Sequence, residues 1–290
     1  MRTWGEARWW ARERLRIGAD PATAALDADV LLAFALGVSK EELLAHPERT
    51  LADDDDGRFR GLVERRHAGE PVAYLRGFKE FFGFRVLVDS RVLIPRPETE
   101  TLVEEALRFI SRLESGRPVT VVDVGTGSGA IACAVALHAP RARVIATDTS
   151  GGALALAAEN ARSLGVEERM TFVHGDLLAP ITERVSVVCA NLPYLRDDEV
   201  VHLTGERTSL AFEPRTAVVA GADGLDQITR CVLDLPRVLA SGAAAFFECD
   251  PPQAASVAVL LRKQGLRAEI ARDLAGAERV VAGYADATIT

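Results

Sequence analysis

The sequence predicts an α/β protein with a doubly wound, mostly parallel sheet, preceded by a small all-helical domain and a β-hairpin linker. From residue 119 onward, short β-branched runs alternate with helical stretches, which is typical of parallel strands joined by crossover helices. The first 70 residues show only helical spacing, and residues 78–93 carry aromatic and β-branched residues around a glycine, as in a hairpin. The expected boundaries are 1–75 for the helical domain, 76–95 for the linker and 96–290 for the α/β domain.

Helical spacing is clear in the amino-terminal part. Apolar residues recur every three or four positions between Trp4 and Ala11, and a second apolar run from Ala25 to Leu36 ends at Gly37. The acidic run Asp53–Asp56 is open to interpretation as a metal-binding cluster. We interpret it instead as a solvated turn whose last acid caps a helix from Gly57 to His67, where negative charge favours the helix dipole.

The α/β domain should contain seven strands. A helix is expected to start near Thr99, after two prolines, and five parallel strands follow at residues 119–124, 143–148, 170–174, 185–190 and 243–248. Two last runs, 266–271 and 279–282, are so close in sequence that they predict a hairpin, with one strand antiparallel to the rest. If the first five strands are ordered 3-2-1-4-5, a crevice opens between strands one and four.

Composition excludes several classes of function. Hydrophobic residues make up 48% of the chain and charged residues 26%, as in soluble globular proteins. A net charge of -8 disfavours a general nucleic-acid binder. The sequence shows neither an apolar run near the ~20 residues that span a bilayer nor a signal-peptide core, so we expect a cytoplasmic protein.

Cysteine and histidine patterns point away from disulfides and metals. The four cysteines are far apart in apolar segments, which is typical of core thiols in a reducing compartment. The five histidines form no metal-binding pair. We therefore expect no metal site.

A glycine-rich stretch leaves strand one and enters a helix. It consists of Gly125, Thr126, Gly127, Ser128 and Gly129. Such glycines allow a tight turn and a close approach of a ligand, and the helix N-terminus points N–H groups at it. Asp148 ends strand two, where its carboxylate can accept both hydroxyls of a ribose, and Asp176 and Leu177 follow strand three as candidates for contacts with adenine. Together they indicate an adenosine-containing cofactor, either NAD or S-adenosylmethionine.

Strand four ends in Asn191, Leu192, Pro193 and Tyr194, which predict a small polar pocket with rigid walls. The planar carboxamide of Asn191 offers one acceptor and two donor hydrogens. Pro193 favours an extended Leu192 whose carbonyl points outward, and Tyr194 adds a flat face and a hydroxyl. This pocket suits a planar group that bears an NH2. The alternative is an ordinary strand-ending turn that happens to contain an asparagine.

The tetrapeptide also favours one cofactor over the other. A hydride-transfer enzyme needs a proton donor or a carbonyl-polarising group near the nicotinamide ring, and these four residues supply neither well. Methyl transfer needs only a nucleophile positioned in line with a sulfonium methyl group. S-adenosylmethionine is therefore the expected cofactor.

From Asp20 to Gly283 the chain resembles the PrmC/HemK family of S-adenosylmethionine-dependent glutamine N5-methyltransferases. The segments that carry the resemblance are 71–77, 93–100, 123–130, 191–194, 213–214, 221–225 and 273–276 with Arg279. The segment Pro95–Glu100, joined to an amide-type pocket, is specific to this family. An NPPY-like tetrapeptide alone is shared with adenine and cytosine amino-methylases.

The resemblance implies a fold, a substrate and partners. It implies five amino-terminal helices that recognise the substrate, a hairpin linker, and a Rossmann-like seven-stranded methyltransferase domain at residues 96–290. The implied substrate is the glutamine of the Gly-Gly-Gln loop in peptide chain release factors. We expect a monomer that contacts neither nucleic acid nor membrane.

The family's site residues carry over to matching positions. The glycine stretch Gly125–Gly129 would cradle the methionine end of the cofactor, Asp148 would bind its ribose, and Leu177, after Asp176, would lie against the adenine. Asn191 would border both the cofactor and the substrate. On the substrate side it would accept one amide hydrogen through its side-chain oxygen. The remaining contacts would come from the carbonyl of Leu192, from Pro193, which restrains that carbonyl, and from Tyr194, which would pack against the amide plane.

Two departures from the family pattern bear on activity. Leu192 stands where the family has proline, although the required carbonyl is retained. The stretch Glu248–Gln253 lacks the family's glycine, so the loop there should differ in shape. Three alternatives stay open: another glutamine-bearing substrate such as a ribosomal protein, the exocyclic amine of a nucleobase, and a cofactor-binding protein without catalysis.

Overall fold

The computed structural model describes residues 2–18, 20–114, 116, 118–196, 198–199 and 209–286. The described chain forms two compact units. One contains residues 2–78 and 209–213, and the other contains residues 79–199 and 214–286.

The first unit is helical over residues 4–76. Its helices are α1 (Trp4–Leu15), α2 (Ala24–Leu36), α3 (Lys40–Ala45), α4 (Asp53–His67) and α5 (Val72–Arg76). Their apolar faces share one core that includes Ala7, Leu31 and Phe59. Gly37 ends α2 in the left-handed conformation (φ 68°), as its position after the apolar run predicts.

The acidic run Asp53–Asp56 lies inside α4, so the predicted helix start at Gly57 is wrong. Ala52 is the N-cap, and the four carboxylates occupy the first turn. The first turn of a helix stabilises negative charge as well as the cap position does, because four N–H groups there lack partners in the helix. Asp56 also pairs with Arg60, one turn further along. Among the residues that the structure describes, no group of acidic, histidine or cysteine side chains is arranged to hold a metal ion.

A two-stranded hairpin consists of β1 (Phe78–Phe81) and β2 (Phe84–Leu87). It turns around Gly83 as predicted, but its second strand ends at Leu87 rather than at Leu93. Beyond it the Asp89 side chain accepts from the Arg91 N–H at 3.0 Å, which ties the backbone into a turn instead of a ladder.

The second unit contains a seven-stranded sheet with the order β5-β4-β3-β6-β7-β9-β8. Its strands are β3 (Val119–Val124), β4 (Ala142–Asp148), β5 (Met170–His174), β6 (Val185–Ala190), β7 (Leu239–Glu248), β8 (Arg267–Arg272) and β9 (Glu278–Tyr284). The strand β9 runs antiparallel to both of its neighbours. The predicted order 3-2-1-4-5 and the antiparallel strand in the last hairpin are confirmed.

Helices cover the sheet. They are α6 (Thr99–Arg112), α7 (Ala130–His138), α8 (Gly151–Ser163), α9 (Asp226–Val238) and α10 (Ala254–Lys263). Alternate residues of β3 and β6, such as Val122 and Val188, share a core with α9 and α10. Their neighbours Val121 and Val187 are equally buried, so both faces of the central strands are covered. Within the described residues, no helix is both long enough and apolar enough to cross a membrane.

Candidate active site

A cavity of about 420 Å³ lies at the carboxyl ends of the central strands, within the range of ordinary ligand sites. Its walls come from the segments that follow β3, β4, β5 and β6, and the strand order reverses between β3 and β6. Among the predicted site residues, those that line it are Gly125, Thr126, Gly127, Ser128, Asp148, Asp176, Leu177, Asn191, Leu192 and Pro193. Gly129 and Tyr194 lie outside this lining.

The loop after β3 has the backbone that its glycines predict. Gly125, Gly127 and Gly129 have φ values of 68°, 54° and 78°, in the left-handed region that favours glycine. At Gly129 a Cβ atom would lie 2.9 Å from the Cβ of Ala157 in α8. The loop is therefore as close to α8 as a residue without a side chain allows.

Asp123 holds this loop from beneath, a role that the sequence did not reveal. Its Oδ2 accepts from the Thr126 hydroxyl at 2.6 Å and from the Ala132 N–H at 3.2 Å. The other oxygen, Oδ1, is buried without a partner in the part of the chain that the structure describes. Burial raises the pKa of Asp123 to about 7, against the lowering effect of the two hydrogen bonds.

Asp148 is fixed by two backbone donors. Its Oδ2 accepts from the Gly127 N–H at 2.9 Å, and its Oδ1 accepts from the Ser150 N–H at 2.8 Å. A carboxylate has about four acceptor positions, so both oxygens retain capacity for ligand hydroxyls. The glycine cradle and this fixed carboxylate fit an adenosine-type cofactor.

The segment after β5 forms the other end of the cavity. Leu177 has a φ of 48°, which is uncommon for a residue with a side chain, and its carbonyl accepts from the Thr147 hydroxyl at 3.1 Å. The side chain of Leu177 lines the cavity. Asp176 forms an ion pair with Arg230 of α9, and both side chains are about half exposed.

Asn191 is tied to a buried cluster of polar side chains. Its Nδ2 donates to the Thr99 hydroxyl at the start of α6, at 3.0 Å. Thr99 also lies close enough to Glu248, the last residue of β7, for its hydroxyl to lower the pKa of that carboxyl. The Tyr194 hydroxyl donates to Glu248 Oε1 at 3.3 Å, and burial, followed by the charge of Glu248, raises the pKa of that phenol, so Tyr194 stays protonated.

Leu192 fills the space beside the glycine loop. Its side chain is only 3% exposed, and its Cδ2 lies 3.1 Å from the position that a Cβ on Gly125 would take. The leucine therefore packs directly on the loop, at the position where the resembling family has proline.

Three supporting residues were missed as members of the site: Asp123, Thr99 and Glu248. Each lies inside or beside a segment that the sequence singles out. An acid in an apolar strand, next to a glycine loop or at the strand end, is the signal that points to Asp123 and Glu248, because an acid is rarely buried without a specific role. No such signal marks Thr99.

Comparisons with known proteins identify the family of this chain. The PrmC N-terminal domain family matches residues 6–77, and the methyltransferase small domain family matches residues 105–208. A release factor glutamine methyltransferase from Bordetella pertussis is 41% identical over 267 residues, which cover 92% of this chain and 97% of the relative. One from Rhodopirellula baltica is 40% identical over 261 residues and covers 88% of each chain.

Among solved structures, the T. thermophilus 16S rRNA N2 G1207 methyltransferase, in complex with AdoMet and guanosine, has a TM-score of 0.50. It is 15% identical, and the match covers 72% of this chain and 49% of that one. At this identity the likeness shows a common fold only.

Proposed function

Because this chain belongs to the release factor glutamine methyltransferase family, we propose that it methylates N5 of the glutamine in the Gly-Gly-Gln loop of peptide chain release factors. It is an S-adenosylmethionine-dependent protein methyltransferase. The observation that carries the proposal is the carboxamide of Asn191, which lines the crevice while its nitrogen is held by Thr99.

The cavity residues divide the work of holding the cofactor. Gly125–Gly129 would receive the methionine end, Asp148 the ribose hydroxyls, and Asp176 and Leu177 the adenine. The bound cofactor supplies an electrophilic methyl group on a sulfonium. Asp176 is already paired with Arg230. It would therefore contribute to adenine binding by fixing the backbone after β5 as much as by its charge.

Asn191 and its neighbours act on the amide. An amide nitrogen is a poor nucleophile because its lone pair is delocalised into the carbonyl. With Nδ2 of Asn191 bound to Thr99, the carboxamide oxygen is left to accept one substrate hydrogen, and the carbonyl of Leu192 would accept the other. Two acceptors orient the nitrogen and favour the positive charge that builds on it, an electrostatic contribution that a preorganised site makes without reorganisation. Pro193 would restrain the Leu192 carbonyl. Tyr194, whose hydroxyl bonds to Glu248, would pack beside the amide from outside the cavity lining.

Labelled S-adenosylmethionine, a release factor and mass spectrometry of the Gly-Gly-Gln peptide test the proposal. The wild-type protein should label that glutamine, and Asn191→Ala should lose at least about 99% of the rate while it retains cofactor affinity. Gln264→Ala, an amide removed outside the crevice, is the matched control. Label that persists in Asn191→Ala contradicts the role of Asn191, and label on a ribosomal protein, on a nucleobase or on nothing contradicts the substrate.

We further propose that the amino-terminal helices recognise the release factor, and that a monomer acts in the cytoplasm without contact to nucleic acid. A hollow on the first unit supports recognition there. It is lined by Trp9, whose side chain is 67% exposed, together with Trp10, Arg2 and Arg60. Exposed tryptophan and arginine are the side chains that most often anchor protein interfaces.

A further inference from the structure

We propose that Glu248 is a positioning residue that decides which end of the Asn191 carboxamide faces the substrate. The inference rests on the proposed function, because it assigns a role through Asn191. Glu248 is fully buried at the end of β7, while Asn191 lies at the edge of the cavity. Thr99, 3% exposed, bonds to Asn191 and lies close enough to Glu248 to affect the pKa of its carboxyl.

The number of hydrogens on each group decides which group donates and which accepts along the series Glu248, Thr99 and Asn191. An ionised carboxylate has acceptors only, so it receives the Tyr194 hydroxyl as a donor, and the nearby hydroxyl of Thr99 can turn only its hydrogen towards it. A hydroxyl has one hydrogen, and once that hydrogen faces Glu248, Thr99 can only accept from Asn191. The amide must then turn its NH2 towards Thr99, the 3.0 Å contact that the structure shows, which leaves its oxygen for the substrate NH2.

Protonation of Glu248 removes this constraint. A carboxylic acid can donate to Thr99, and Thr99 can then donate to the oxygen of Asn191. The amide would present its NH2 to the substrate NH2, and two donors repel. Glu248 Oε2, buried without a partner of ordinary geometry in the described residues, is the atom with room for that proton.

Burial and the charges around Glu248 determine the pH at which it becomes protonated. The titratable and charged groups near it are Arg279, Glu98, Tyr194 and Cys249. Arg279 is shared with Asp273 and Asp250, at 3.5 and 3.9 Å. Burial prevails over the lowering effects of the Thr99 hydroxyl and the Arg279 charge, and it raises the pKa of Glu248 to about 7.

Methyl transfer measured across pH separates positioning from packing. In the wild type, kcat should rise with pH to a plateau, with a midpoint near 7 where Glu248 ionises. In Glu248→Gln, which keeps the size and shape of the side chain, kcat at the plateau should fall about tenfold to a hundredfold and this rise should vanish. KM for the release factor and cofactor affinity should change by no more than about twofold.

Two variants of Thr99 supply the matched control. Thr99→Val keeps the shape without the hydroxyl and should resemble Glu248→Gln, whereas Thr99→Ser keeps the hydroxyl and should restore most of kcat. A Glu248→Gln enzyme that keeps both the plateau rate and the rise with pH overturns the inference. So does an equal loss of rate in Thr99→Val and Thr99→Ser.

A spectroscopic titration without cofactor tests the same inference independently of activity. The side-chain NH2 signals of Asn191 are assigned in ¹H–¹⁵N spectra by their loss in Asn191→Ala. In the wild type they should shift with a midpoint near pH 7, and in Glu248→Gln they should not. Signals that do not move in the wild type overturn the role of Glu248, even if the enzyme methylates release factors. A titrating signal in a chain that does not methylate them overturns the proposed function alone.

Discussion

At the scale of single residues, the carboxylate of Asp148 both holds the backbone of the site and is the proposed acceptor for the ribose hydroxyls. It accepts from Gly127 of the cradle and from Ser150 at the start of α8. An amide at this position would offer a donor to one of these two N–H groups, and it would lose the charge that strengthens bonds to ribose hydroxyls.

Asp148→Asn should therefore weaken cofactor binding. Hydrogen bonds to charged groups contribute about 1.5–3 kcal/mol, so the Kd for S-adenosylmethionine should rise by about one to two orders of magnitude. Isothermal titration calorimetry measures this directly. Asp54→Asn, on the first unit, is the control and should leave the Kd unchanged. An unchanged Kd in Asp148→Asn would remove Asp148 from the cofactor site.

The individual site residues were predictable where one local signal carries them. Asn191 is visible because a polar residue follows an apolar strand, and the glycine stretch because it joins a strand to a helix. The residues that support the tetrapeptide were not visible. Thr99, the partner of Asn191, and Glu248, the partner of Tyr194, are distant in sequence and are brought there only by the packing of α6 and β7. Which of two such residues donates a hydrogen bond and which accepts it cannot be read from the sequence, because it depends on the folded structure.

At the scale of elements, the close approach of the glycine loop to α8 fixes the cradle. Gly129 has a φ of 78°, and a Cβ atom added there would lie 2.9 Å from the Cβ of Ala157. Gly151, at the start of α8, has neither feature: its φ is ordinary and nothing lies within 4 Å of a Cβ there. The two glycines therefore form a natural pair for comparison.

Gly129→Ala should lower the free energy of unfolding by about 1–3 kcal/mol, because a strained φ and a tight contact add. Gly151→Ala should be neutral or slightly stabilising, because alanine reduces the entropy of the unfolded chain and suits a helix. Urea denaturation followed by circular dichroism measures both. Equal effects of the two substitutions would show that the closeness of the loop and α8 is unimportant for stability.

Elements were predicted well where an apolar run marks them and less well at their ends. The strands β3, β5 and β6 have the predicted bounds, because each stops at a glycine or a polar residue. The start of α4 was misplaced because aspartate is favoured both at the N-cap and in the first turn. Side-chain hydrogen bonds that end a strand, as at Asp89, leave no periodic signal.

At the scale of the whole molecule, stability should depend on buried acids. Asp123 is 1% exposed, and burial raises its pKa to about 7, so the folded state retains a proton that the unfolded chain releases near pH 4. The folded state therefore binds more protons between these values, and Asp123 contributes stability that is fully present below about pH 4 and is lost as the pH rises to about 7.

Asp123→Asn should remove this loss, since an amide does not titrate and its oxygen can still accept from Thr126 and Ala132. Relative to the wild type, the variant should gain about 1.4 kcal/mol of unfolding free energy for each pH unit between about 5 and about 7, and nothing more above that range. Urea denaturation of both proteins at several pH values measures the difference, in which the titration of Glu248 cancels. A difference that is constant across these pH values would show that Asp123 is ionised in the folded protein throughout, and that the loop is held by a charge rather than by a neutral acid.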